Sequence, residues 1–167
     1  MAGPNEINVV VRPARVEDIE ACLDLYAEVA AEAVHIGGEA PIDRPARRKD
    51  WLEACSRADA VRFVAVSGDA IVGIGGLDGD RVADLGMLVA PGWRRRGIGT
   101  MLMEALIDWA REVGAHKIAL QVWPHNDAAI ALYKRFGFEQ EGYLRKHYRR
   151  RNGELWDAVV MGLVLTD

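Results

Sequence analysis

Cysteine is nearly absent from this 167-residue chain, which carries only Cys22 and Cys55. Both fall in segments with the periodicity of amphipathic helix, so buried free thiols in a reducing cytoplasm are expected rather than a disulfide framework. The cysteines and the four histidines show no zinc-ligand spacing, and no metal is expected. Long apolar runs are missing too. No segment approaches the roughly 18 uninterrupted apolar residues of a membrane span, and residues 1–6 lack the basic and apolar regions of a secretory signal. A cytoplasmic protein with no membrane partner is the expectation. Excess charge of one sign is small: 21 Lys and Arg stand against 25 Asp and Glu, a net −4 that argues against electrostatic capture of nucleic acid. Repeats, low-complexity stretches and linkers are absent. Half the residues are apolar, enough for one core, so residues 1–167 read as a single domain with residues 1–6 flexible.

What is present alternates between the two periodicities of secondary structure. Ile7 to Arg12 is rich in β-branched residues and reads as a strand stopped by Pro13. Ile19, Cys22, Leu23, Tyr26 and Ala30 then share one helical face. A loop from Val34 to Pro45 leads to a second helix over about residues 46–58. Strands follow at Val61–Val66, Ala70–Leu77 and Ala83–Val89. A long amphipathic helix starts near Gly97 and is closed by Gly114. Ile118–Trp123 is a strand, Asp127–Phe136 a short helix, and Phe138–Tyr148 and Leu155–Leu165 two long strands. Asn152-Gly153 between them favours a tight hairpin turn. The pattern is α/β (α+β mixed), a mixed sheet with helices on its faces.

The sharpest local feature is Val89-Ala90-Pro91-Gly92-Trp93-Arg94-Arg95-Arg96-Gly97-Ile98-Gly99-Thr100. A strand ends, a basic glycine-bearing loop follows, and a helix begins. Free backbone N–H groups and the helix dipole make such a junction an anion site, and Gly97 and Gly99 leave the backbone approachable. A P-loop needs Gly-Lys-Ser/Thr, and a dinucleotide fingerprint needs a third glycine where Leu102 stands. What remains is a pyrophosphate held mainly by backbone, or an exposed basic loop that merely caps the helix.

The run Arg94 to Gly99 resembles the acetyl-CoA motif of the GNAT superfamily of N-acetyltransferases, Gln/Arg-x-x-Gly-x-Gly/Ala. Asn126-Asp127-Ala128-Ala129-Ile130-Ala131-Leu132-Tyr133-Lys134-Arg135-Phe136-Gly137-Phe138 resembles that family's Asn-x-x-Ala-x-x-x-Tyr-x-x-x-Gly-Phe block. The resemblance runs from about Val9 to Leu165 and is densest from Ala83 to Gly142. It implies one GNAT-like domain: a mostly antiparallel sheet of about seven strands, splayed in the middle, with about four helices on its faces. It implies acetyl-CoA as co-substrate, a small-molecule amine as acceptor and a homodimer as assembly. Met87, Leu88 and Val89 would meet the pantetheine arm through their backbone. Arg94, Arg95, Arg96, Gly97, Ile98, Gly99 and Thr100 would hold the pyrophosphate. Asn126 would hydrogen-bond the cofactor, and Tyr133 would protonate the leaving thiolate.

Each role has a plainer competitor. Asn126 is also a good helix N-cap, and Tyr133 shares a helical face with Ala129 and Phe136, as a core aromatic would. An alkyl ammonium near pKa 10.4 costs about 4–5 kcal/mol to deprotonate at pH 7, so a base, a proton relay or a desolvated pocket must offset that cost. Asp84 is the candidate: it shares a strand face with Gly86 and Leu88, and its position resembles that of a strand glutamate in the phosphinothricin-type branch. The competing reading pairs it with Arg81. Gln121 stands where peptide-terminal acetyltransferases of the superfamily often carry an acid. Glu28 and His35 fall near the usual acceptor pocket. The basic stretch Gly142 to Arg151 reads either as an attractor of acidic groups or as a solvated hairpin face. The C-terminal hairpin resembles that of GNAT enzymes acting on amino acids, which favours a small amine acceptor. Acetylation of protein N-termini or lysines is the alternative, and a CoA-binding module without chemistry is the third reading.

Overall fold

The computed structural model describes residues 8–166; residues 1–6 and the expected strand start at Ile7 lie outside them. The first strand, β1, covers Val10–Pro13. Pro13 is therefore its last residue and not its stop. β1 is the sheet edge, with Pro13 opposite Phe63, where a missing N–H is tolerated. Helix α1 at Ile19–Ala31 buries Ile19, Cys22, Leu23, Leu25 and Val29. Helix α2 at Arg44–Ser56 begins earlier than expected, because the Asp43 carboxylate accepts a 3.0 Å hydrogen bond from the Ala46 amide and Pro45 fits the first turn. On α2 only Trp51 and Ala54 are buried, so Cys55 points to solvent while Cys22 is fully enclosed. The expectation of buried thiols thus holds for Cys22 and fails for Cys55.

Strands β2 (Ala60–Ser67), β3 (Ala70–Asp78) and β4 (Val82–Val89) continue the sheet as an antiparallel meander. Helix α3 (Ile98–Glu112), strand β5 (Lys117–Val122) and helix α4 (Asp127–Arg135) follow. β6 (Glu139–Arg149) and β7 (Leu155–Val164) close the chain. Their connection is longer than a two-residue turn: the Arg150 amide donates to the Glu154 carbonyl at 2.8 Å, and Gly153 takes φ +89°. The strand order is β1-β2-β3-β4-β5-β7-β6.

One pairing is parallel. β4 meets β5 only over Val82–Asp84 against Lys117–Ala119, and beyond that point the two strands separate. The sheet is split there. On one face α3 and α4 pack Met103, Leu106 and Tyr133 against Leu77, Ile118, Leu120 and Phe138. On the other, α1 and α2 enclose Leu23, Val29, Trp51, Val64 and Ile74. α3 lies close on β3 because glycines floor the contact: a Cβ at Gly73 would stand 2.9 Å from Ile98 Cγ2, and one at Gly75 2.8 Å from Leu106 Cδ1. Among the described residues no helix is long and apolar enough to cross a membrane, and no cluster of His, Cys, Asp and Glu is arranged to hold a metal ion.

Candidate active site

The split between β4 and β5 opens a cleft of about 940 Å3. At one end the β4–α3 junction supplies Arg95, Gly97, Ile98, Gly99 and Thr100. Arg95 (φ +63°) and Gly97 (φ +82°) are left-handed, the second as a glycine readily allows. Gly97 is the N-cap and has no side-chain cap. The helical ladder begins with the Met101 amide donating to the Gly97 carbonyl at 3.1 Å. The Ile98, Gly99 and Thr100 amides therefore lack helical acceptors and face an anion's natural position. Gly99 packs under α4, where a Cβ would come within 3.0 Å of Leu132 Cδ2. A diphosphate fits this junction.

The three arginines of the motif do different things. Arg95 lines the cleft. Arg96 does not; its guanidinium lies 5.2 Å from the centroid of the Trp93 ring. Arg94 borders the cleft but is engaged: it donates two 2.8 Å hydrogen bonds to the Glu32 carboxylate and one of 3.2 Å to the Val89 carbonyl. A further arginine, Arg135, joins the junction by donating to Thr100 Oγ1 at 2.8 Å. Nothing in the spacing of the motif pointed to Arg135, which arrives from the far end of α4.

In the middle, Met87, Leu88 and Val89 line the cleft along the edge of β4 that β5 has left. Gly86 beside them has no register shift, and a Cβ there would meet nothing within 4 Å. Its missing side chain is open cleft, not a bulge. Asn126 Oδ1 accepts from the Ala129 amide at 3.3 Å as the N-cap of α4, and the residue also lines the cleft. Tyr133 is 7% exposed, packs on Phe138 at 5.6 Å between centroids, and also lines the cleft. Burial pushes its phenol up to about 12, so the hydroxyl is protonated at any physiological pH.

Asp84 sits one residue pair below the opening, opposite Asp78 of β3, and does not itself line the cleft. It keeps contact with solvent, yet the strands around it desolvate the carboxyl and raise its pKa, with repulsion from Asp78 adding to the effect. The Arg81 partner that the sequence allowed is not formed. Asp78 itself accepts 2.9 Å from Arg62.

The opposite end of the cleft is walled by Tyr26, Arg47 and Trp51 from the two N-terminal helices, and by Trp123 and Tyr148 from the C-terminal half. His35 and Gly37 close it from the α1–α2 loop. Desolvation lowers the His35 pKa. Glu28 is exposed and lies outside the cleft. Gln121 faces it and accepts a hydrogen bond from the Tyr148 hydroxyl. The basic stretch is not uniformly a solvated face: Arg150 is only 5% exposed, stacked 4.4 Å from the Trp156 centroid, and donates to the Gly37 carbonyl at 3.0 Å. Arg47, Arg62 and Trp123 escaped the sequence reading because their elements carry no motif, and only the fold brings them together.

Comparison with known proteins agrees with this geometry. The model of the Acetyltransferase (GNAT) family matches residues 22–138. An L-amino acid N-acetyltransferase of Escherichia coli (strain K12) is 32% identical over 93% of this chain and 98% of its own. An L-methionine sulfoximine/L-methionine sulfone acetyltransferase of Pseudomonas paraeruginosa is 30% identical over 80% of this chain and 82% of its own. The crystal structure of a ribosomal-protein-alanine N-acetyltransferase from Brucella melitensis superposes with TM-score 0.84 at 29% identity, covering 93% of this chain and 99% of that one. With the glycine junction, the split sheet and the Asn126–Tyr133 helix in place, the chain belongs to the acetyltransferase (GNAT) family.

Proposed function

We propose that this chain is an acetyl-CoA-dependent N-acetyltransferase that acetylates the amine of a free amino acid or amino-acid analogue by direct attack on the thioester. One observation carries the reading: the split sheet sets an uncapped helix N-terminus, a vacated strand edge and the buried Tyr133 phenol along a single cleft. The near full-length similarity to an L-amino acid N-acetyltransferase supports the acceptor class.

The pyrophosphate of acetyl-CoA lies against the Ile98–Thr100 amides, with Arg95 and Arg135 neutralising its charge. The pantetheine arm runs along Met87–Val89, and Asn126 adds a side-chain contact. A backbone N–H of Leu88 or Val89 meets the oxyanion that forms when the amine nitrogen attacks the carbonyl carbon. As the C–N bond forms and the C–S bond breaks, the amine proton leaves through water to Asp84. Gly86 shares a strand face with Asp84, and with no atom within 4 Å of where its Cβ would stand it leaves room for that water. The departing thiolate takes its proton from Tyr133. Raised to about 12, the phenol is a weaker acid than a free one, and transfer to a solvated thiolate is uphill by about 5 kcal/mol. Desolvation of the sulfur in the same cleft raises the thiol pKa and narrows that gap.

Acetylation of a protein N-terminus is the competing reading, and the ribosomal-protein relative gives it weight. Against it, Gln121 binds Tyr148 instead of presenting an acid. Action in a reducing cytoplasm fits the free thiols Cys22 and Cys55, and a homodimer, the assembly this reading includes, would sediment at twice the 18.4 kDa chain. The test is release of CoA from acetyl-CoA over a panel of amino acids, amino-acid analogues, polyamines and N-terminal peptides. Turnover with amino acids but not peptides is expected; turnover confined to peptides would overturn the acceptor assignment, and none at all the enzyme assignment.

A further inference from the structure

An amino acid differs from a peptide N-terminus in the carboxylate beside its amine, so the acceptor end should hold a cation to receive it. This step rests on the amino-acid reading above. Arg47, Arg62 and Arg94 line the cleft, and Arg150 is buried behind Gly37 and Trp123 of its wall. Arg94 is held by Glu32 through two 2.8 Å hydrogen bonds. Arg62 donates 2.9 Å to Asp78 and also bonds the Val61 and Leu77 carbonyls. Arg150 is sealed under Trp156, bonded to the Gly37 carbonyl and 3.6 Å from Glu39, and although its Nη2 has no partner among the described residues that atom is buried away from the cleft surface. Arg47 differs from all three.

The Arg47 guanidinium lies 3.5 Å over the Tyr26 ring centroid and donates to the Tyr26 hydroxyl. Among the described residues it has no carboxylate within ion-pair distance. Acids do stand near it, but two are on its own helix or cap, Asp43 and Asp50, and Glu39 is taken by Arg150 and by the Arg151 amide at 3.2 Å. Tyr26, which carries the group, is itself seated: a Cβ at Gly38 would stand 2.7 Å from its Cζ. Arg47 is thus a half-buried cation, oriented by an aromatic face and lining the cleft beside Trp51 and Gly37. Such a group is preorganised for a planar anion, since a guanidinium offers a carboxylate two parallel N–H donors.

We propose that Arg47 receives the carboxylate of the acceptor and thereby selects free amino acids over peptides, amides and simple amines. The carboxylate docks against the α2 wall while the amine reaches toward the β4 edge. The experiment compares kcat/KM for one well-turned-over amino acid, its amide and its decarboxylated amine, in the unchanged enzyme, Arg47→Met and Arg47→Lys. The ratio of acid to amide is the readout, because a general loss of structure moves both alike. Arg47→Met should lower that ratio by about tenfold or more, mainly through KM for the acid, and Arg47→Lys should restore part of it. An unchanged ratio in Arg47→Met, with amino acids still acetylated by the unchanged enzyme, overturns this inference and leaves the proposed function standing. Failure of the unchanged enzyme on every amino acid overturns both.

Discussion

The Glu32 carboxylate, just past the end of α1, accepts two 2.8 Å hydrogen bonds from the guanidinium of Arg94, 62 residues away. The first residue of the glycine motif is thereby tied to the end of α1 while it still borders the cleft. Arg94 binds the Val89 carbonyl as well, so one guanidinium ties the end of β4 and the loop to α1. The Glu32 side chain is 25% exposed, and the pair lies between a surface and a buried ion pair in cost.

Replacing Glu32 by Gln should cost about 1–2 kcal/mol of stability at pH 7 and raise KM for acetyl-CoA. The Arg94 hydrogen bonds hold the Glu32 carboxyl below its ordinary pKa of 4.5. A lowered folded-state value means that its stabilisation is present above that ordinary value and is lost as the pH falls through the folded one. Chemical denaturation at pH 7 and at pH 3 should therefore show a gap between the two proteins that shrinks in acid. A gap that stays constant would remove the ionic account.

Tyr133→Phe should lower kcat by about 10²-fold or more while leaving the affinity for acetyl-CoA nearly unchanged. Steady-state rates and calorimetric binding separate the two. With the phenol raised to about 12, Tyr133 should impose no loss of rate as the pH rises to 10. A descending limb below that, absent from the Phe variant, would contradict its protonated state.

Asp84 should show the trade between activity and stability that a desolvated acid imposes. Its folded-state pKa is raised, so the ionised form is disfavoured in the fold. Stability attached to this group is fully present below the unfolded pKa and is lost as the pH rises through the folded one. Asp84→Asn should then melt higher than the unchanged protein at pH 7, with the difference vanishing in acid, while kcat/KM falls by about tenfold or more. An unaltered rate would return the base role to water or another group.

Gly86 is empty space rather than strain, since a Cβ there would meet no protein atom within 4 Å. Gly86→Leu should fold and melt close to the unchanged protein yet lose about 10²-fold in kcat/KM, by filling the passage between Asp84 and the thioester. Equal losses of stability and activity would mean that the glycine serves the strand.

Native labelling with a thiol reagent should modify Cys55 and spare Cys22. Cys22 is fully buried and its thiol is pushed up to about 12, chiefly by burial, whereas Cys55 is exposed. Mass spectrometry after brief labelling should find one adduct at Cys55, and a second only after denaturation.

The sequence by itself determined the elements and the glycine-bearing strand-to-helix junction. Periodicity of 3.6 or 2 reports which face of α1, α3 or β5 is apolar, and a strand-to-helix turn with glycines at Gly97 and Gly99 needs no distant partner to be recognised. Resemblance carried Asn126 and Tyr133 onto the short helix, and the fold sets both along the cleft. Tertiary structure alone decided what the charged side chains do. Arg94 turned to Glu32, Arg96 to Trp93, Arg150 inward beneath Trp156, and Arg47 to Tyr26, with no carboxylate in ion-pair reach among the described residues. A guanidinium on a flexible stem meets whatever the packing of other elements brings within reach, and nothing in its own neighbours along the chain records that choice.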